Sequence, residues 1–441
     1  MSEHAQTRWG NRVSRLGAVP RLRAAFYGDD FTGSVDALLQ FARRGWTGRL
    51  FVGLPDAAAL ERAATECDVV GIAGIARSLP TADLDAEVRP VLQALAALRP
   101  RVVQYKACST ADSSPTIGSI GRVLELGREV VGEQTVPFVF AQPDFGRYTL
   151  HGVHFAAEGG IVYRLDRQPT MSTHPTTPMT EPDLAVHFSY QTDLPIGSIP
   201  FTAYGGEDGA DLADLILGSG DAAVVLDAAL DEHLEAIGRA LGRLDEPVFA
   251  VGSGGLSLAI AASEGQAAVP LPTRTGTPGS VLAVSGSRSS QTRRQMDAAA
   301  AAGWLVQPLA LEVSRASAQL DWVLSALRAG NSVALSSDDA DTTATARPVL
   351  EALAEAAAAM VAGAAGAGAA RRIIVCGGDT SSRVTRLLGV EALSIAANPE
   401  GNIVLLTAHA ADPAIDGLEL LLKGGQVGAV DLFDGIRVLG S

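Results

Sequence analysis

Short runs of Val, Ile, Leu and aromatic residues alternate along this chain with alanine- and leucine-rich stretches long enough to be helices. That alternation admits little besides a parallel sheet covered by helices, because parallel strands need a crossover between them and crossover helices cover the sheet faces. Candidate strands fall at residues 22–27, 50–53, 69–73, 102–105, 137–140, 223–226 and 248–251. A second series falls at 281–284, 304–306, 333–335, 372–375 and 403–406. Between the two series, residues 264–280 concentrate Pro, Gly, Ser and Thr without periodicity, the composition of a linker. At 441 residues the chain exceeds what one hydrophobic core usually serves. The expectation is an α/β protein of two domains, each a mainly parallel sheet flanked by helices. A flexible tail covers 1–21, a first domain 22–263, the linker 264–280 and a second domain 281–441. The stretch 352–370, nearly all alanine and glycine, lies between two candidate strands and reads as a helix ending in a glycine turn.

A formal charge of −15 argues against nucleic acid or an anionic membrane surface as partner, since both demand a basic stripe. The cysteines, Cys67, Cys108 and Cys376, stand far apart with no CxxC spacing, which fits a reducing compartment and neither a disulfide framework nor a zinc site. The polar, basic N-terminus lacks an apolar signal core, and no run of about 18 apolar residues is free of charge or glycine. The expected location is cytoplasmic. An anionic ligand would then have to meet a local basic pocket. Lysine is nearly absent: Lys106 and Lys423 are the only two, and both sit in Gly- or Ser-rich segments. An ammonium serves phosphate or carboxylate oxygens as a compact point charge, where guanidinium acts as a fork. These two positions point to anionic small-molecule chemistry.

Asp29 and Asp30, in GDDFTGSVDA, stand at the carboxyl end of the first strand, where ligands of open α/β sheets bind. Two adjacent carboxylates there suit hydroxyl binding, a metal ion, or removal of a proton from an attacking alcohol, whereas a helix cap alone would use one of them. After the strand at 102–105, YKACSTADSS sets Lys106, Ser109, Thr110 and Asp112 on a loop whose donors and acceptors fit polyol and carboxylate recognition. QPDFGRYTLHG, read as another loop, offers Arg147 as a carboxylate fork. His151 and His154 are three apart without a third metal ligand nearby in sequence. The proline-broken loop at 166–179 carries His174 and Met179. In the second half, Ser285 opens a serine-rich turn, and Gly377, Gly378, Asp379 and Thr380 lead from a strand into a helix. Glycines let backbone amides approach a phosphate, and a helix N-terminus presents unpaired N–H groups with a favourable dipole. Lys423, Gly424 and Gly425 would complete such a cradle. Neither turn is a GxxxxGK[ST] loop or a GxGxxG, which counts against a dinucleotide-dependent dehydrogenase.

Together these segments resemble the four-carbon acid sugar kinase family over residues 23–433. The resemblance rests on GDDFTGSVDA, YKACSTADSS, FGRYTLHG, STHPTTPM, VSGSRSSQTRRQ, CGGDTS and LLKGGQVG, in that order. It implies an amino-terminal acid-sugar-binding domain, a carboxyl-terminal nucleotide-binding domain, and an ATP- and Mg²⁺-dependent phosphotransferase with an alcohol acceptor. By that resemblance Asp29, Asp30 and Lys106 do the chemistry, while Ser109, Thr110, Asp112, Arg147 and His174 face the acid sugar. Ser285, Gly377, Gly378, Asp379, Thr380, Lys423, Gly424 and Gly425 would meet ATP. The metal's ligands are left unassigned. The implied substrate is a 3-oxo-tetronate phosphorylated on its terminal hydroxyl, with 3-oxo-isoapionate, threonate and erythronate as alternatives. Ser34, Gly424 and the NPEGNIVLL segment depart from the family's usual residues, which favours keeping 3-oxo-isoapionate in view. The partners implied are the acid sugar, ATP and, as an option, a second copy in a homodimer. From other classes, a dehydrogenase and a non-catalytic acid-sugar sensor remain as alternatives.

Overall fold

The computed structural model describes residues 22–206, 208–265, 268–275, 279–337 and 348–440. The expected tail and parts of the expected linker lie outside the described residues. The first half lays down β1 (Ala24–Gly28), β2 (Gly48–Phe51), β3 (Val69–Ala73), β4 (Val102–Lys106) and β5 (Val136–Val139). An excursion follows, made of β6 (Arg147–Leu150), β7 (Val153–Glu158) and β8 (Ile161–Arg164), before β9 (Ile196–Ile199), β10 (Ala223–Leu226) and β11 (Val248–Gly252). The second half adds β12 (Val281–Ser285), β13 (Leu305–Pro308), β14 (Val333–Ser336), β15 (Arg372–Cys376), β16 (Val390–Glu400), β17 (Ile403–Ala410) and β18 (Glu419–Lys423).

All but the excursion join one 15-stranded sheet, ordered β13-β14-β12-β15-β18-β17-β16-β2-β3-β1-β4-β11-β5-β10-β9. The run from β2 to β9 is parallel throughout. So is the run from β13 to β18. The antiparallel hairpin β16–β17 lies between them, pairing with β18 on one side and β2 on the other. Two helix-flanked parallel sheets are thereby welded edge to edge.

The central strands β1, β3, β4, β12 and β15 are buried at every position, as apolar runs with helices on both faces must be. Side chains alternate between faces, so Phe26 of β1 and Val375 of β15 share a core that runs through both halves. Their neighbours Tyr27 and Ile374 point the other way into two separate cores. The helix Val349–Gly366 is long and apolar enough to cross a membrane, yet it carries Glu351 and Glu355 and buries Leu353, Ala357 and Val361 in the shared core. Tight packing makes one prediction. Gly71 of β3 leaves room for the Phe26 ring, whose Cζ would lie 2.1 Å from an added Cβ. Gly71→Ala should therefore cost about 1–3 kcal/mol in urea unfolding while the loops at the strand ends keep their ligand affinity.

Two readings of the sequence change. QPDFGRYTLHG is not wholly a loop: Arg147–Leu150 is β6, antiparallel to β7, which pairs in turn with β8. These strands are only partly buried, and β8 is largely exposed, so no apolar run announces them. The 166–179 segment includes a short helix, Pro169–Ser172, whose Pro sits at its first position.

Candidate active site

The carboxyl end of β1 turns into the helix Phe31–Arg43, which Asp30 caps by accepting from the Gly33 N–H at 2.8 Å. Asp29, 3% exposed, lies beneath it. Arg77, on the turn after β3, donates to Asp29 Oδ1 at 3.2 Å and forms an ion pair with Asp30 Oδ2 at 3.0 Å. Burial pushes Asp29 up to about 6, against the pull of the guanidinium. The same carboxylates hold the Arg77 pKa well above its ordinary value despite its burial. Arg77 was missed in the sequence because no motif marks it; its one signal is a cation a few residues past the carboxyl end of an apolar strand.

Lys106 closes β4, directly beside Gly28 of β1. Its ammonium, 2% exposed, donates to the Ala107 carbonyl at 2.9 Å. An added Cβ on Gly33 would stand 2.9 Å from that nitrogen and 2.5 Å from Asp30 Oδ1, so the glycine lets lysine and carboxylate converge on the helix's first turn. On the loop that follows, the Thr110 hydroxyl donates to Asp112. Cys108 and Asp112 both lie within the electrostatic reach of Arg77 and Arg147. Arg147 itself spends a guanidinium nitrogen on the carbonyls of Phe145 and Ala157, at 3.0 and 3.1 Å, and stacks over the Phe145 ring. Burial draws its pKa below the ordinary arginine value. His174 accepts from the Thr177 N–H and hydroxyl at 3.1 and 2.9 Å and is not among the residues lining the cleft described below.

In the second half, the strand ends β12, β15 and β18 lie side by side. The Ser285 hydroxyl accepts from the Ser287 N–H at 3.1 Å. Gly377 holds φ at 106°, open to glycine, and its N–H donates to the Lys423 carbonyl at 2.9 Å before the helix Gly378–Leu387 begins. Thr380 packs against Gly286, where a Cβ would fall 2.1 Å from its hydroxyl oxygen. Lys423, 2% exposed, donates to the Thr292 hydroxyl at 3.1 Å, and burial lowers its pKa. Thr292 in turn donates to the Gly425 carbonyl at 2.8 Å, fixing the turn after β18. Asp379 is exposed and borders a different cavity, with Arg383 and Arg386.

The ends of β1, β4 and β18 face one cleft of about 210 Å³, whose lining includes neither Ser285, Gly377, Gly378 and Thr380 nor Gly425. Asp30, Arg77, Lys106 and Ser109 line it from the first half, and Asn402, Lys423 and Gly424 from the second. Both lysines of the chain thus meet in one place. The N-termini of the helices Phe31–Arg43 and Gly378–Leu387 approach there too, an added Cβ on Gly378 lying 3.9 Å from the Thr32 hydroxyl. Two ammonium groups, an arginine and two helix N-termini form a site for a multiply charged anion, with a carboxylate beside it able to take a proton. Among the described residues no group of three or more His, Cys, Asp or Glu gathers to hold a metal ion.

Comparison with known proteins finds matches in both halves of the chain. Residues 24–260 match a family described as a sugar-binding N-terminal domain, and residues 282–433 one described as a nucleotide-binding C-terminal domain. A 3-oxo-isoapionate kinase of Paraburkholderia graminis is 36% identical over 449 residues, covering 94% of each chain. A 3-oxo-tetronate kinase of Methylobacterium radiotolerans is 32% identical over 432 residues, covering 92% of this chain and 96% of its own. A Salmonella typhimurium protein of known structure shares the fold, with a TM-score of 0.78 at 24% identity over 95% of this chain and 99% of its own.

Proposed function

The chain belongs to the four-carbon acid sugar kinase family and is a sugar-acid kinase; from that premise we propose that it phosphorylates the terminal hydroxyl of a 3-oxo acid sugar, 3-oxo-isoapionate before 3-oxo-tetronate. The observation that carries this reading is the convergence of Asp30, Arg77 and Lys106 with Lys423 and Gly424 on one cleft. The higher identity to the 3-oxo-isoapionate kinase supports the order of the two substrates.

In this reading the substrate hydroxyl lies against Asp30, which Arg77 holds in place. Asp30 takes the hydroxyl proton as its oxygen attacks the γ-phosphorus of ATP. The new O–P bond forms as the bond to the β,γ-bridging oxygen breaks, and ADP leaves. Lys106 and Lys423 offset the charge on the transferring group, and the amides at Gly377 and Gly378 receive the phosphates. Ser109, Thr110 and Asp112 read the acid sugar's hydroxyls. Arg147 stands behind them as a positive charge on the carboxylate side, and His174, engaged with Thr177 away from the cleft, takes no part in this reading. Mg²⁺ suits a site with few protein carboxylates, since it keeps waters and binds through phosphates. Bound there, it would neutralise the β- and γ-phosphate charge. Such a kinase would act in the cytoplasm, where its free thiols Cys67, Cys108 and Cys376 stay reduced.

The test is ADP release with Mg·ATP across 3-oxo-isoapionate, 3-oxo-tetronate, threonate and erythronate. Turnover that depends on one of the 3-oxo acids is expected; binding of ATP with silence across all four would overturn the substrate assignment. On the nucleotide side, Thr292→Val removes the hydroxyl between Lys423 and the Gly425 carbonyl. A hydrogen bond to a charged group contributes about 1.5–3 kcal/mol, so the variant should bind ATP about tenfold or more weakly by calorimetry, with acid-sugar KM unchanged.

A further inference from the structure

The ribbon β6–β8 stands outside the main sheet, and one of its side chains, His154 on β7, is 0% exposed. Its ring reaches across to the loop behind the cleft. Nε2 lies 2.8 Å from the carbonyl oxygen of Ser109, and Nδ1 lies 2.9 Å from the Thr149 hydroxyl on β6. A carbonyl only accepts, so Nε2 carries the proton and Nδ1 accepts from Thr149. A second buried histidine approaches the far end of the same loop. His187, on the helix Leu184–Ser189, sets its Nε2 3.1 Å from the Ser113 hydroxyl, which also accepts from Gln191 at 2.9 Å. Burial brings both imidazoles down to about 4, so both are neutral under working conditions. Between these two anchors Ala111 holds φ at 54°, a left-handed conformation that residues bearing a Cβ rarely adopt and that persists only where the surroundings impose it.

We propose that His154 and His187 are positioning residues that clamp the arc from Ser109 to Ser113 from behind, so that its hydroxyls and the Asp112 carboxylate meet the acid sugar, and that the ribbon β6–β8 serves to deliver the first of them. Neither imidazole lines the cleft; Ser109, next to Lys106 and Cys108 in its wall, does. The proposal rests on the acid-sugar reading of that cleft. It also gives His154, for which no third metal ligand stands nearby in sequence, a role other than metal binding.

The experiment uses the full-length enzyme and two readouts. In His154→Ala, amide hydrogen exchange over residues 107–114 should accelerate by about tenfold or more while β12 and β15 keep wild-type protection. KM for the acid that the wild type phosphorylates should rise about tenfold, the effect of one lost buried hydrogen bond, with KM for ATP within about twofold. His154→Gln keeps an amide that donates to Ser109 and an oxygen that accepts from Thr149, and it should recover most of both effects. Unchanged exchange over 107–114, an unmoved acid-sugar KM, equal rises in both KM values, or no recovery with glutamine each overturns the proposal. If His154→Ala does not fold, Thr149→Val removes the hydroxyl that fixes the tautomer and is read in the same way. A wild type that phosphorylates none of the acids would sink the acid-sugar reading, and the exchange measurement would still decide the clamp.

Discussion

Asp30→Asn should lower kcat by about 10²–10⁴-fold, the usual contribution of a positioned general base, while leaving KM for ATP within about twofold. The substitution isolates the chemistry well. Asparagine caps helices as readily as aspartate, so the bond from the Gly33 N–H survives and the helix Phe31–Arg43 keeps its start. What disappears is the negative charge that pairs with Arg77 and the oxygen that would receive the hydroxyl proton. Steady-state ADP release on the preferred acid, read beside a thermal unfolding curve, separates lost catalysis from lost fold. Full turnover in the variant would move the base elsewhere, and Asp29 would be the first place to look.

A larger shift in pH dependence is expected from Arg77→Met. In the wild type, Asp29 is pushed up to about 6 by burial and restrained from going higher by Arg77. Below that pH it takes up a proton and the negative charge it sets beside Lys106 in the site is lost, so kcat/KM should fall on the acid side of about 6. Without the guanidinium the restraint is gone, and removal of an opposite charge at this range moves a carboxyl by about 1–3 pH units. The acid limb should therefore climb into the neutral range, and activity at pH 7 should drop by about tenfold or more while recovering at higher pH. Stability follows the same sign. A buried acid whose folded pKa stands above its unfolded value favours the fold at low pH and opposes it as pH rises through the folded value. Arg77→Met should accordingly lose most stability above neutrality, because Asp29, 3% exposed, is left there as a buried charge with its main counter-ion removed. A profile whose acid limb stays near 6, measured from pH 5 to 9, would mean that Arg77 does not govern Asp29.

The strands that sequence located and those it passed over differ in a physical way. β3 and β10 coincide with the runs at 69–73 and 223–226, and β1, β4, β11, β12 and β15 shift by no more than two residues at either end. All of these lie inside the sheet with apolar side chains on both faces, so burial alone writes them into the composition. β6, β7 and β8 are short and half exposed, β9 is a sheet edge, and β16 owes its existence to pairing with β17 and β2. β6, β7 and β8 pair with one another within residues 147–164, but their partial exposure leaves no apolar run to mark them, whereas β9 and β16 also take partners outside any local window, β10 and β2.

The site divides along the same line. Asp29, Asp30, Lys106, Ser285 and Gly377 stood out because each sits at or just past the carboxyl end of a buried parallel strand, where the chain must turn; Lys423 stood out only as one of two lysines, beside glycines, since β18 was passed over although it is buried and parallel. Arg77 was not, since its role comes from two carboxylates 47 and 48 residues earlier, brought within reach by the parallel pairing of β1 and β3. The sequence by itself determined that this is a helix-flanked parallel α/β chain with acidic and lysine-bearing turns, because hydrophobic period and turn chemistry are local properties. Only the tertiary structure decided that the two sheets join through β16 and β2, that both lysines and Arg77 share one cleft, and that His154 stands behind a loop that lines it, because those contacts depend on strand order and register, which residues adjacent in sequence do not encode.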